Sequence, residues 1–243
     1  MLGMQREAQR NALNGAGAPA IWFDAQRLAG ASGDAIAAHT DRVGRAWAQA
    51  TAGQRCTVQR GVATVGTAMR GAGAQNLYTS ATVDLTATKA LTLAWCSQNV
   101  GGTDQILVEI GPNGGTTNGG LMFFREIAKS VNMRICGNVG MDGKNTAVFA
   151  DASWHVWVLR VDMNLAADEI IALYKDGVSQ ALTALFAANN TSTFQNLTIY
   201  LMSRVGGVAG WVGDLTEMVL WPRDLGAAVV PALSAELKAA WGF

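Results

Sequence analysis

Two histidines, three cysteines and eighteen acidic side chains bound the chemistry open to this chain of 243 residues. Histidine is the commonest general base, and only His39 and His155 are on offer. His155 sits in an alternating run beside Trp154, and His39 in an alanine-rich stretch. No Gly-x-Ser-x-Gly elbow accompanies either, so a Ser-His-Asp triad is not expected. A retaining glycosidase on a β-sandwich needs two carboxylates about 5 Å apart, which a single strand supplies as alternate acids. No Glu-x-Asp-x-Glu triplet occurs; Asp214 with Glu217, and Asp168 with Glu169, lack that spacing and read as groups at strand ends. Neither Gly71-x-Gly73 nor Gly137-x-x-Gly140 opens a strand-to-helix unit that would cradle phosphate. The expectation is a protein that is not an enzyme.

Binding chemistry is harder to dismiss. Hard cations on sandwich loops are held by scattered Asp, Asn and carbonyl oxygens, so Asp104, Asp142 and Asn145 are candidate calcium ligands, with ordinary turn roles as the alternative. Calcium aside, no cofactor is expected. A sugar site pairs an aromatic platform with amide hydrogen bonds; Trp47, Trp211 and Trp221 could supply the first, Asn113 and Asn118 the second, although tryptophans in a sandwich more often fill the core. Cys56, Cys96 and Cys136 are odd in number and lack a Cys-x-x-Cys pair. They read as small buried side chains in a reducing compartment, a single disulfide or a reactive thiol being the alternative, and a structural zinc is not expected.

The elements that must position these groups are strands. Apolar runs are cut by Gly, Asn and Asp every ten to fifteen residues or so, the rhythm of an all-β sandwich, and the 28 glycines favour many turns over long helices. Period-two alternation stands out in Leu91–Trp95, Ile106–Ile110 and Trp154–Asp162. Leu121–Phe124, Glu169–Tyr174 and Leu197–Met202 are apolar on both faces, which predicts central strands or strands covered by loops or a second subunit. Asp176-Gly177 and Asp142-Gly143 offer the positive φ that tight hairpins need. Gly111 to Gly120 reads as a mobile surface loop. Val230, Leu233, Leu237 and Trp241 fall at helical spacing between Ala227 and Ala240, with Pro231 in the first turn and Gly242 as cap. Residues 1–19 read as a polar arm, either a flexible terminus or an anchor whose Gln5, Arg6 and Arg10 dock on a partner chain, followed by one domain over 20–243. Eighteen basic residues balance eighteen acidic ones, and only 15% of the chain is charged, so nucleic acid is not an expected partner. The sequence has neither a secretory signal's apolar stretch nor a run of about 20 uncharged apolar residues, so membrane insertion is not expected either.

Several segments in order resemble the laminin-G-like, concanavalin-A-like jelly-roll domains of bacterial extracellular proteins and phage virion proteins. They are Ile21-Trp-Phe-Asp24, Asp41 through Ala52, Trp154-His155 leading into Val158–Asp162, Tyr174-Lys-Asp-Gly177, Gly210 through Leu225, and Leu237 through Phe243, together spanning about residues 20 to 243. The resemblance implies an antiparallel two-sheet jelly roll with a C-terminal helix, in which Trp154 anchors core or sheet edge and Glu217 and Arg223 fix the end of the last strand. It also implies a non-enzymatic bacteriophage virion protein, a decoration or fibre-like module of capsid or tail. Such a protein would be homo-oligomeric, contact other virion proteins and be assembled in the host cytoplasm. The alternative is an extracellular, lectin-like module that binds host surface glycan. Fold alone does not choose between them.

Overall fold

The computed structural model describes residues 13, 15–62, 66–101, 104–113, 116–125, 131–137, 140–146, 152–166, 168–188, 190 and 192–243. Gln5, Arg6 and Arg10 lie outside the described residues. In chain order the strands are β1 (Ile21–Asp24), β2 (Ala38–Thr40), β3 (Ala46–Ala48), β4 (Thr57–Val62), β5 (Gly66–Ala72), β6 (Leu77–Thr79) and β7 (Val83–Asp84). Then come β8 (Ala90–Gly101), β9 (Gln105–Ile110), β10 (Gly120–Arg125), β11 (Val131–Cys136), β12 (Met141–Thr146) and β13 (Trp154–Asp162). The last are β14 (Ile171–Lys175), β15 (Val178–Ser179), β16 (Thr183–Phe186), β17 (Asn196–Leu197), β18 (Ile199–Leu201) and β19 (Val212–Trp221), before the helix α1 (Val230–Trp241).

These strands form two large antiparallel sheets. One runs β15-β14-β13-β8-β19-β5-β4 with β1 also paired to β19; the other runs β16-β12-β11-β10-β9-β18-β6-β3-β2, and β17 pairs with β7 apart from both. The main core lies between the sheets and is built from alternate residues: Leu91, Leu93 and Trp95 of β8 and Trp157, Leu159 and Val161 of β13 meet Val108, Ile110, Leu121, Phe123, Met133 and Ile135 of the facing sheet. At its centre the Phe123 ring stands edge-on to Trp95 with centroids 4.5 Å apart and lies 6.3 Å from Trp157.

Two bulges decide which way the side chains face. Between β9 and β10 the register shifts next to Phe124, so Ile106 turns to the outer face while Val108 and Ile110 stay inside; the simple alternation expected for Ile106–Ile110 is broken there. In β19 the shift falls between Leu215 and Glu217, so that Leu215, Met218 and Leu220 face the core and Glu217, Val219 and Trp221 face the opposite side.

That opposite side is covered from within the chain. Val230, Leu233, Leu237 and Trp241 of α1 pack on Ala94, Cys96, Val156, Val158, Val219 and Trp221, together with Leu13 and Ala16. The helix is present, but it begins at Val230, three residues later than expected, after a 3-10 turn over Ala227–Val229, and Gly242 closes it at φ 75°. The described residues of the leader are held by the sandwich: Leu13 and Ala16 are buried, Trp221 Nε1 donates to the Gly17 carbonyl at 3.1 Å, and the Arg223 guanidinium donates to the Ala16 carbonyl. Arg223 therefore secures the N-terminal segment. Glu217 instead accepts from Trp22 Nε1 at 2.6 Å and Trp241 Nε1 at 2.8 Å.

Asp176 and Gly177, at φ 55° and 84°, make the expected hairpin between β14 and β15. Asp142-Gly143 is not a turn: both residues lie inside β12, where a Cβ on Gly143 would come within 2.9 Å of the Phe186 ring, so the glycine admits a side chain from β16. The three cysteines are free and buried.

Asp176 also ties α1 down, with Lys238 Nζ at 3.1 Å and His155 Nδ1 at 2.7 Å. Burial pushes its carboxyl up, but hydrogen bonds from His155, the Val156 N–H and Lys238 outweigh that and hold it below the ordinary carboxylate range. Asp224 follows the same pattern: burial raises it, and Arg160 with the Gly226 N–H lowers it further. A carboxyl depressed in the folded state stabilises the fold above the unfolded value near pH 4, and the contribution disappears as pH falls through the folded value. Urea midpoints are therefore expected to drop as pH is lowered from about 4 towards 2. The drop should shrink in Asp176→Asn and in Asp224→Asn; an unchanged acid profile in both variants would contradict this.

Candidate functional site

With one sheet covered by α1, the outer face of the nine-stranded sheet is the open surface. Strand register aligns one residue from each strand into a row across it: Ala38, Ala48, Tyr78, Tyr200, Glu109, Met122, Arg134, Gly143 and Phe186. Tyr78 and Tyr200 are neighbours on this row, ring centroids 5.8 Å apart, because their flanking residues Leu77, Thr79, Ile199 and Leu201 all point inward and are buried.

Beside them the segment joining β18 to β19 folds back over the sheet. It is a tightly specified turn: Met202 and Ala209 adopt φ 67° and 54°, Gly206 and Gly207 78° and 75°, and a Cβ on Gly207 would meet the Ala74 carbonyl oxygen at 2.3 Å. Asn76 Nδ2 donates to the Arg204 carbonyl at 2.8 Å and Gln54 Nε2 to the Gly206 carbonyl at 2.7 Å. So pinned, Arg204 lays its guanidinium across the row, donating to Glu109 Oε1 at 3.0 Å and to Asn113 Oδ1 at 3.3 Å, with Met122 Sδ at 3.4 Å. Glu109 is fully buried beneath it, whereas 27% of the Arg204 side chain stays exposed.

Two depressions flank Arg204. One, of about 410 Å³, has an apolar floor of Ile106, Met122 and Phe124 and a polar rim that includes Asp104, Asn113 and Arg134, with the Arg134 guanidinium 4.6 Å from the Phe124 ring centroid. The other, of about 330 Å³, lies over the tyrosine pair among Gln49, Gln54 and Asn76. Apolar floor, aromatic faces and convergent amide and guanidinium donors form a surface that can hold a flat, hydroxyl-rich ring from below and from its edges.

The sequence-derived candidates divide. Asn113 joins this site through Arg204, while Asn118 is exposed on the same loop and lines neither depression. Trp211, Trp47 and Trp221 are not platforms: each is buried, with Nε1 donating to the Gln98 carbonyl, to Asp41 Oδ2 and to the Gly17 carbonyl respectively, so apolar burial claims all three rings. The calcium trio does not converge. Asp142 faces inward, buried, accepting from the Ala188 and Asn190 backbone N–H groups and from Asn190 Nδ2; Asn145 is three residues on, on the opposite face; and exposed Asp104 immediately precedes β9, three strands from β12. Among the described residues no group of three His, Cys, Asp or Glu side chains could hold a metal ion. His155 and Asp176 form a hydrogen-bonded pair, and Ser97 lies opposite His155 in the ladder, but Ser97 is 1% exposed and closed to a substrate. Tyr78, Tyr200, Glu109, Arg134 and Arg204 escaped the sequence reading. A strict period of two in Ile199–Leu201 would have turned Tyr200 outward; nothing local signals Arg204, whose role depends on a turn.

No family model matches the sequence, and no curated protein matches it. Solved structures match in fold. Trypanosoma rangeli sialidase in complex with 2,3-difluorosialic acid superposes with a TM-score of 0.59 at 14% identity, over 90% of this chain and 33% of that one. The binding domain of botulinum neurotoxin serotype G gives 0.53 at 11% identity, over 85% of this chain and 52% of that one. Ruminococcus gnavus IT-sialidase CBM40 gives 0.51 at 14% identity, over 69% of this chain and 96% of that one. This chain thus spans about a third of the sialidase it matches. Nothing in these structures points to a bacteriophage origin. At such identities the likeness establishes architecture alone: the chain is an antiparallel two-sheet jelly-roll sandwich.

Proposed function

We propose that this protein is a carbohydrate-binding, lectin-like module that holds its ligand on the outer face of the nine-stranded sheet, without turnover. The observation that carries this reading is the row formed by Tyr78, Tyr200 and the Arg204–Glu109 pair, left open on one sheet while α1 closes the other. The matched sialidase was captured with a sialic acid derivative, which makes glycan recognition a natural class to test first. Turnover is disfavoured because among the described residues the acids of this face, Asp104 just before β9 and Glu109 within it, are five residues apart, roughly 16 Å of extended chain, well beyond the separation that glycosidases use. The virion structural role implied by the sequence resemblance leaned on strands apolar on both faces. In β14 the second face meets the α1 cluster through Tyr174, and in β10 it forms the floor under Arg134 and Arg204, so those two strands do not call for a second subunit.

The test is a glycan array followed by calorimetry on the best binder. Tyr200→Ala is expected to weaken binding roughly 30-fold, the effect of losing a side chain worth about 2 kcal/mol at the centre of an interface. Absence of any glycan ligand, or binding indifferent to Tyr200→Ala and Asn113→Ala, would refute the proposal.

A further inference from the structure

A third depression lies on the same row, at its other end. It has a volume of about 520 Å³; small side chains line it at Ala38, Thr40, Ala46 and Ala48 of β2 and β3 and at Ser80, and Arg27, Ala29, His39 and Trp47 complete its border. Ala38 and Ala48 are the register partners that continue the row beyond Tyr78, so all three depressions border the row and follow one another across the strands, two on its Asn76 and Phe124 side and the third on its Thr40 and Ser80 side. From Ala38 to Arg134 the row takes six interstrand steps of about 4.8 Å, roughly 29 Å in all. That is several times the width of one sugar ring. Arg204 lines the 410 Å³ depression and its chain neighbours Val205 and Gly206 line the 330 Å³ one, and its partly exposed guanidinium can donate upward to a ligand that passes over it.

Resting on the carbohydrate reading above, we infer that the ligand is an extended oligosaccharide strand lying across the sheet from Ala38 to Arg134, and not a single terminal sugar. The lining matches such an occupant in three respects. Small residues lower the floor at one end, the tyrosine pair offers ring faces at the middle, and Arg134, Asn113 and Arg204 offer donors and acceptors at the other end. A globular protein partner would fit a convex or flat apolar patch better than three hollows that follow one another along a row.

Chain length is the variable to test. Cello-, chito- and polyuronate oligosaccharides of two and six units are titrated against the whole protein and against Ala38→Arg, whose side chain would fill the terminal hollow from an exposed position. The hexasaccharide of the preferred series is expected to bind at least tenfold more tightly than its disaccharide. Ala38→Arg should remove most of that advantage while leaving disaccharide affinity and thermal unfolding unchanged, and Thr40→Arg, from the same hollow, should repeat the result. Equal affinities for two and six units, with Tyr200→Ala still abolishing both, would overturn the extended strand and leave the binding face standing. Failure of every series to bind would sink both readings. A dimer in light scattering that Ala38→Arg dissociates would also overturn the inference, since a second copy of the chain would then own this face.

Discussion

Glu217→Ala is expected to lower the free energy of unfolding by about 4 kcal/mol, because it removes two charge-assisted hydrogen bonds of about 1.5–3 kcal/mol each and leaves two indole N–H groups without their acceptor. The side chain is fully buried and joins three parts of the chain that are far apart in sequence: Trp22 of β1, its own strand β19, and Trp241 at the end of α1. Glu217→Gln should cost less, about 2 kcal/mol, since an amide keeps one acceptor oxygen but turns an NH2 towards the other indole. Trp241→Phe keeps most of the ring contact and deletes one donor. A double-mutant cycle between Glu217→Ala and Trp241→Phe, measured by urea denaturation, should therefore show a coupling of about 1.5–3 kcal/mol. A loss under about 1 kcal/mol for Glu217→Ala would show that helix docking does not depend on this carboxylate.

Phe123→Ala should be comparably damaging, at about 3–5 kcal/mol, the range for emptying an aromatic site in a close-packed core. Phe123 is the knob by which the nine-stranded sheet reaches between Trp95 and Trp157 of the facing sheet, and those two indoles stack with centroids 6.4 Å apart. Phe123→Leu should cost roughly 1.5 kcal/mol or less, because volume is largely kept. Both variants should alter near-ultraviolet circular dichroism more than far-ultraviolet, since tryptophan packing changes while the ladders persist. Equal stability of the alanine variant and the native protein would mean that the sheets do not depend on this contact.

Much of the sandwich was legible because its strands obey simple alternation. In β8 and β13 every second residue faces the core, and the opposite set meets α1, whose own spacing was equally plain. The arrangement failed to show itself wherever a bulge inverted that parity. Ile106 and Glu217 occupy the faces they do because the register slips by one residue nearby, a tertiary event with no local signature. Asp142-Gly143 misled for a related reason. Glycine there makes room for Phe186 in a strand, and the Asp carboxylate satisfies backbone N–H groups near Asn190, so a pair with turn chemistry serves packing. The tryptophans drew attention as sugar platforms, but Trp47, Trp211 and Trp221 are claimed by the core, and the open face carries Tyr78, Tyr200, Phe124 and Phe186 instead. Arg204 could not be read from sequence, since its position depends on the left-handed residues around it and on amides donated from Gln54 and Asn76.

The docking of Leu13, Ala16 and α1 on one sheet has a practical corollary for handling the protein. Gly17 and Phe243 both lie on the side that carries the helix, Gly17 bonded to Trp221 and Phe243 against Trp154. A bead or sensor chip coupled through a C-terminal tag would hold the molecule by its back and aim the tyrosine row into the bulk liquid, where macromolecules arriving from solution could reach it without steric hindrance from the support.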